Sequence, residues 1–158
     1  DDFEMLENDQ LTVQGMMGSR FLATFEKEVT TWQKELAGIS ENSNLISEVQ
    51  RLWSYLEPLF IGSEEVKKEL AEDAARFVQI DMDVKSILKE ARKTKSIIRA
   101  TNKEGLFEHL ESTEKGAIQL LVSTNFYFYL VDVYMMMGSK EAKAKQELAI
   151  VSSRTTLI

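Results

Sequence analysis

The stretch Leu45-Ile46-Ser47-Glu48-Val49-Gln50-Arg51-Leu52-Trp53-Ser54-Tyr55-Leu56-Glu57-Pro58-Leu59-Phe60-Ile61-Gly62 decides how the rest of the chain is read. Leu45, Val49, Leu52 and Leu56 recur at helical spacing, and Ile46 and Trp53 widen the apolar face. Pro58, the only proline, lacks the N–H that a helix interior needs. The pattern predicts a buried central helix that stops at Pro58, with Phe60 just beyond it in the core.

Upstream, Phe21, Phe25, Val29, Trp32, Leu36 and Ile39 follow at steps of three and four after Ser19, a candidate N-cap. This predicts an amphipathic helix whose dry stripe holds Phe25, Trp32 and Leu36. Gly38, Ser40, Asn42, Ser43 and Asn44 form a polar interruption that either turns the chain between two helices or weakens one longer helix. Trp32 and Trp53 are a whole number of heptads apart, so an uninterrupted helix puts both on about the same side, and a turn puts them on different arms. Residues 1–18, with Gly15 and Gly18, read as a loosely held leading segment containing at most one short helix or strand.

Downstream, Ser63 with Glu64 and Glu65 supplies a cap and first-turn carboxylates for a helix lined by Val66, Leu70, Ala74 and Phe77, with Glu64 and Lys68 as an i,i+4 pair. Another helix is expected after Asp81 or Asp83, ending near Asn102 to Gly105. A last core helix starts at Leu106 and runs to about Leu121. Phe126 to Tyr134 is aromatic and β-branched, hence strand-like, although a buried helix gives the same short apolar run. Residues 140–149 return to a charged helical pattern, and Ser152 to Ile158 read as frayed. The fold class expected is all-α, an antiparallel bundle of helical hairpins with a possible short strand at 126–134. The organisation expected is one helical domain over 1–158: a leading segment (1–18), a helical core (19–122) and a divergent C-terminal part (123–158).

Composition removes several functions. The formal charge of -7 opposes a nucleic-acid surface, which requires a basic face. With no cysteine there are no disulfides, thiolate metal sites or cysteine nucleophiles. Asp1-Asp2-Phe3-Glu4 lacks the basic and apolar regions of a signal peptide, and the missing initial methionine suggests a segment of a longer chain. No glycine-rich loop leads into Lys-Ser or Lys-Thr, so no phosphate-binding loop is present. His109, the only histidine, sits between Glu108 and Glu111 and reads as solvated. Asp81-Met82-Asp83 reads as helix capping, since a calcium loop needs further oxygens and a glycine. The basic run Lys85, Lys89, Arg92, Lys93, Lys95, Arg99 reads as a solvated face. Ala117 to Met137 has the length of a membrane span, but Gln119, Asn125 and Asp132 oppose one, because a carboxylate at that depth costs roughly 2.5 kcal/mol or more.

Separated words in the sequence carry a family resemblance. Leu6-Glu7-Asn8-Asp9-Gln10, Phe25 to Trp32, Glu48-Val49-Gln50-Arg51 and Trp53-Ser54-Tyr55-Leu56-Glu57-Pro58-Leu59-Phe60 resemble the linker region of axonemal dynein heavy chains. Ile61 to Leu70, Arg76-Phe77, Ile80-Asp81 and Asn102 to Leu110 continue the resemblance in order, over about residues 5–111. Ala71 stands where the family usually has proline, Ile46 where many members have tryptophan, and the pattern departs beyond Glu111. The resemblance implies a helical lever arm that lies across the AAA+ ring of the same heavy chain, in a microtubule motor of the ciliary or flagellar axoneme. It implies no catalysis in this segment, and as partner that ring or another protein surface; no cofactor or metal is expected, the charge of -7 argues against nucleic acid, and Asp132 makes a membrane an unfavourable partner. The site residues expected are structural: Phe25, Trp32, Leu36, Leu45, Val49, Leu52, Trp53, Leu56, Pro58, Phe60 and Phe77. A free-standing helical interaction module is the alternative, and a small metal-dependent enzyme using Asp81, Asp83 and His109 a weaker one.

Overall fold

A computed structural model describes residues 1–156, with side chains described through residue 145 and at 147 and 148. Of the segment Ser152 to Ile158 expected to fray, residues 152–156 continue as helix, and 157–158 lie outside the described residues. Six helices follow in order: α1 (Asp2–Met17), α2 (Leu22–Phe60), α3 (Glu64–Glu69), α4 (Ala71–Thr94), α5 (Ile97–Thr101) and α6 (Leu106–Thr156). The fold is all-α, and the described residues contain no strand. Two compact units divide the chain, Asp1–Leu120 and Leu121–Ile158.

In the first unit, α2 is the axis: α1, α3, α4 and α5 all pack against it. Val49, Leu52, Leu56 and Phe60 are buried on α2, as are Phe77, Ile80, Val84 and Ile87 on α4. Phe60 and Phe77 stack with ring centroids 5.4 Å apart. Leu110, Ala117 and Leu120 bring α6 into this core. Gly116 lets α6 approach α4 closely, since a Cβ there would lie 3.3 Å from Ile80 Cδ1.

Several boundaries differ from the sequence expectation. Residues 2–17 form a full helix, α1, whose N-cap Asp1 accepts from the Phe3 N–H. Ser19 does not cap α2 directly; its Oγ accepts from the Phe21 N–H in the preceding turn, and the helix starts at Leu22. The polar stretch 38–44 is helical, and the two tryptophans share α2. Helix propensity is a weak preference, and packing along both flanks outweighs it. Pro58 lies inside the last turn of α2, which continues to Phe60. The turn closes with Gly62 N–H on the Pro58 carbonyl at 3.0 Å, and a Cβ at Gly62 would stand 2.6 Å from that oxygen, so glycine is required there.

Ser63 does cap α3, its Oγ accepting from the Val66 N–H. Glu64 pairs with Lys67 at 2.7 Å in place of the expected Lys68. The helix then breaks at Leu70 (φ -117, ψ 51), and Ala71 opens α4. That first helical position is where proline is best tolerated, because its missing N–H would be unpaired in any case. The expected break near Asp81 or Asp83 does not occur, and both lie mid-helix in α4. Lys95 takes a left-handed conformation (φ 53) between α4 and α5, and Ser96 caps α5.

In the second unit, the described residues after Leu121 continue α6 as helix. The strand-like segment 126–134 is therefore helical. A strand needs a partner edge, whereas each added helical residue closes its own backbone hydrogen bond.

Candidate functional site

Two of the contacts of α2, with α4 and with α5, differ in chemistry, and a groove opens beside one of them. Toward α4 the contact is the apolar seam described above, closed at its edge by Trp53. The Trp53 indole N–H donates to Asp81 Oδ1 at 2.9 Å, and Lys85 Nζ reaches Asp81 Oδ2 at 2.7 Å. Burial pushes the Asp81 carboxyl up, but hydrogen bonds from Lys85 and Trp53 and the lysine charge outweigh it and hold the group below its ordinary value. Asp81 thus works as a tether between helices in place of the expected cap. Asp83 accepts from Gln79 Nε2 at 3.0 Å, and His109 Nε2 on α6 lies 3.5 Å from it. Among the described residues no group of three or more His, Asp or Glu side chains converges as a metal site.

Toward α5 the contact is polar. Asn42 is buried on α2, and its Nδ2 donates to the Thr101 carbonyl at 2.6 Å. Its Oδ1 is buried with no hydrogen-bond partner. Thr101, also buried, donates from Oγ1 back to the Ile97 carbonyl. Asn102 Nδ2 donates to the Glu35 carbonyl at 3.1 Å and to Ile98 O at 3.0 Å. It can approach α2 because residue 38 is glycine; a Cβ there would collide with Asn102 Oδ1. The polar interruption of the sequence is therefore the half of a joint that receives α5.

Between α1, α2 and α5 lies an open groove of about 500 Å³ lined by Phe3, Met5, Leu6, Trp32, Leu36, Ile39, Ile97 and Ile98, with Asp2, Asp9 and Ser43. Gln10 Nε2 ties α1 to the Leu36 carbonyl at 3.4 Å. No feature of the sequence marked this groove, because it is assembled from three separated segments.

The expected structural residues distribute unevenly. Leu36, Val49, Leu52, Leu56, Phe60 and Phe77 are buried. Leu45 and Trp53 are half-buried, and Pro58 is exposed on the last turn of α2. Phe25 and Trp32, expected in the core, are 59% and 48% exposed. Phe25 sits at a local break in the helix (φ -127, ψ 19), and Trp32 stands on the groove wall. Helical spacing puts residues on one face, but burial also needs a neighbour along the whole face. In α6, Phe126, Tyr129, Tyr134 and Met135 to Met137 are exposed. Within Leu106–Lys145 that helix contains an 18-residue window with a mean hydropathy of 1.3, long and apolar enough to cross a bilayer by length and composition alone, and Asp132 lies in the same helix.

Residues 1–128 match the family described as dynein heavy chain, N-terminal region 2. The chain is 46% identical over 115 residues to the dynein alpha chain of the flagellar outer arm of Chlamydomonas reinhardtii, covering 73% of this chain and 3% of that protein. It is 42% identical over 113 residues to human dynein axonemal heavy chain 17, covering 72% and 2%. With the ciliary dynein beta chain of Heliocidaris crassispina the identity is 43% over 115 residues, covering 73% and 3%. The match spans only a few per cent of the length of these relatives, and it runs further than the 5–111 resemblance. From the matched 1–128 stretch and these relatives, the chain belongs to the dynein heavy chain family, in its N-terminal region 2.

Proposed function

We propose that this chain is a segment of the mechanical linker of an axonemal dynein heavy chain and performs no catalysis itself. The observation that carries the reading is the family match over residues 1–128, falling on a segment built only of packed helices. Closely packed helices transmit strain because their interiors compress little. The long α2, braced by an apolar seam on α4 and a polar joint on α5, suits a strut. The flagellar, axonemal and ciliary names of the relatives support an axonemal setting. The partner of the linker is the AAA+ ring of the same heavy chain.

The test is size-exclusion chromatography of the chain with an axonemal dynein AAA+ ring, without nucleotide and with ADP or ATP. Co-elution that changes with nucleotide is the expected result. No co-elution in any nucleotide state overturns the linker reading. One observation favours a second reading, a free-standing interaction module: residues 129–158 fall outside the family match, and exposed apolar side chains such as Tyr134 and Met135 lie there.

A further inference from the structure

We propose that the groove between α1, α2 and α5 is a docking site for a basic amphipathic helix. This proposal stands apart from the linker reading, since it rests on the groove alone. Phe3, Met5, Trp32 and Ile97 are 50%, 63%, 48% and 61% exposed, yet they come from three helices to line one concave surface. Scattered single apolar residues are normal on a surface, whereas a concave cluster containing tryptophan has the make-up of an interface centre. The groove volume of about 500 Å³ accommodates a few large side chains, the number that one face of a helix presents at i, i+3/i+4 and i+7.

Charge selects the occupant. The charged residues on the groove wall are Asp2 and Asp9. They belong to a wider acidic run, Asp1, Asp2, Glu4, Glu7 and Asp9, with no Lys or Arg before Arg20. The N-cap Asp1 side chain is engaged by the Phe3 N–H, and the other carboxylates of α1 face solvent with no Lys or Arg on their own helix. A helix that lays apolar residues into the groove and carries Lys or Arg along its flank meets apolar wall with apolar face and acidic rim with basic edge. An acidic helix of the same apolar pattern meets repulsion. Opposed rim charges of this kind act mainly on encounter rate and selectivity.

The test uses the full chain and two labelled helical peptides of roughly 18 residues with identical Leu and Phe anchors, one flanked by Lys and the other by Glu. In fluorescence anisotropy at about 50 mM salt the Lys peptide is expected to bind at least about 10-fold more tightly, with the gap narrowing at about 500 mM salt as the rim is screened. Asp2→Asn with Asp9→Asn should narrow the gap, and Ile97→Asp should abolish binding of both peptides. All three positions are exposed, and far-UV circular dichroism with a melting curve confirms that the variants remain folded. Equal affinity for the two peptides, or binding indifferent to Ile97→Asp in a folded variant, overturns the proposal. A dimer by light scattering that Ile97→Asp dissolves, or adsorption to phosphatidylcholine vesicles that the Lys peptide does not displace, assigns the groove to another occupant and overturns it equally.

Discussion

The two sides of α2 hold their neighbours by different means. The seam with α4 is built from area: Val49, Leu52, Leu56 and Phe60 meet Phe77, Ile80, Val84 and Ile87, and each buried side chain is worth about 1.5–3 kcal/mol relative to exposure. The joint with α5 is built from direction: Asn42, Thr101, Asn102 and the missing Cβ of Gly38 fit at one register only. Net stabilisation by a hydrogen bond is about 0.5–1.5 kcal/mol, and the unpartnered Asn42 Oδ1 takes some of that back. A non-directional seam fixes that α2 and α4 associate. A directional joint fixes where α5 sits along α2. If the comparison is right, stability concentrates on the α4 side and geometric intolerance on the α5 side.

The largest effect belongs to the seam. Phe77 is 1% exposed and stacked on Phe60, so Phe77→Ala leaves a void and is expected to cost about 3–5 kcal/mol in urea denaturation followed by far-UV circular dichroism. A loss below about 1 kcal/mol would remove the seam from its place as the main support. Next comes Asn42→Ala, which removes the bond to Thr101 and also the unpartnered oxygen; the two partly cancel, and the expected loss is about 1–2 kcal/mol. Should Asn42→Ala destabilise as much as Phe77→Ala, the division between area and direction collapses.

The contrast between the two sides also explains what could be read from the sequence. Val49, Leu52, Leu56 and Phe77 were legible because apolar burial follows a period, and a period is local. The joint was not, because Asn42 and Thr101 are 59 residues apart and the purpose of a polar residue inside a helix lies with its distant partner. Seen locally, Gly38 to Asn44 resemble a turn; seen with α5 present, they are its socket. Asp81 misled in the same way, since its partners Trp53 and Lys85 turn a capping residue type into a mid-helix tether. Phe126 to Tyr134 misled through propensity, which favours strand but does not supply a second strand to pair with. The apolar stripe gave Trp32 the right face and the wrong burial, because a groove wall has the same period as a core, while Phe25 falls at a local break of the helix and stays exposed.

A sharper probe of the joint is a double-mutant cycle at Gly38 and Asn102. Alanine is a better helix former than glycine by about 1 kcal/mol, so Gly38→Ala in an ordinary helix stabilises. Here the new Cβ displaces Asn102 and breaks its bonds to the Glu35 and Ile98 carbonyls. The expected result is a loss of about 0.5–1 kcal/mol with Asn102 present and a gain of similar size in the Asn102→Ala background. Additive behaviour of the two substitutions would show that the close approach carries no energy.

The smallest effect is a pH dependence at the edge of the seam. The Asp81 carboxyl is held below its ordinary value in the folded chain, where Lys85 and the Trp53 indole favour its charged form over the penalty of burial. A lowered folded pKa contributes stability that is fully present above the unfolded value of about 3.9 and is lost as pH falls through the folded value. Asp81→Asn keeps an acceptor for the indole but removes the titrating charge. The stability difference between the native chain and Asp81→Asn should therefore be constant from about pH 7 to pH 5 and shrink below about pH 4. Trp53→Phe weakens the same tether, so in that background the low-pH shrinkage should be reduced but not abolished, because Lys85 remains. A difference that grows as the solution is acidified would mean that Asp81 is held in its neutral form, and that the contact between Trp53 and Asp81 strains the seam it is placed to close.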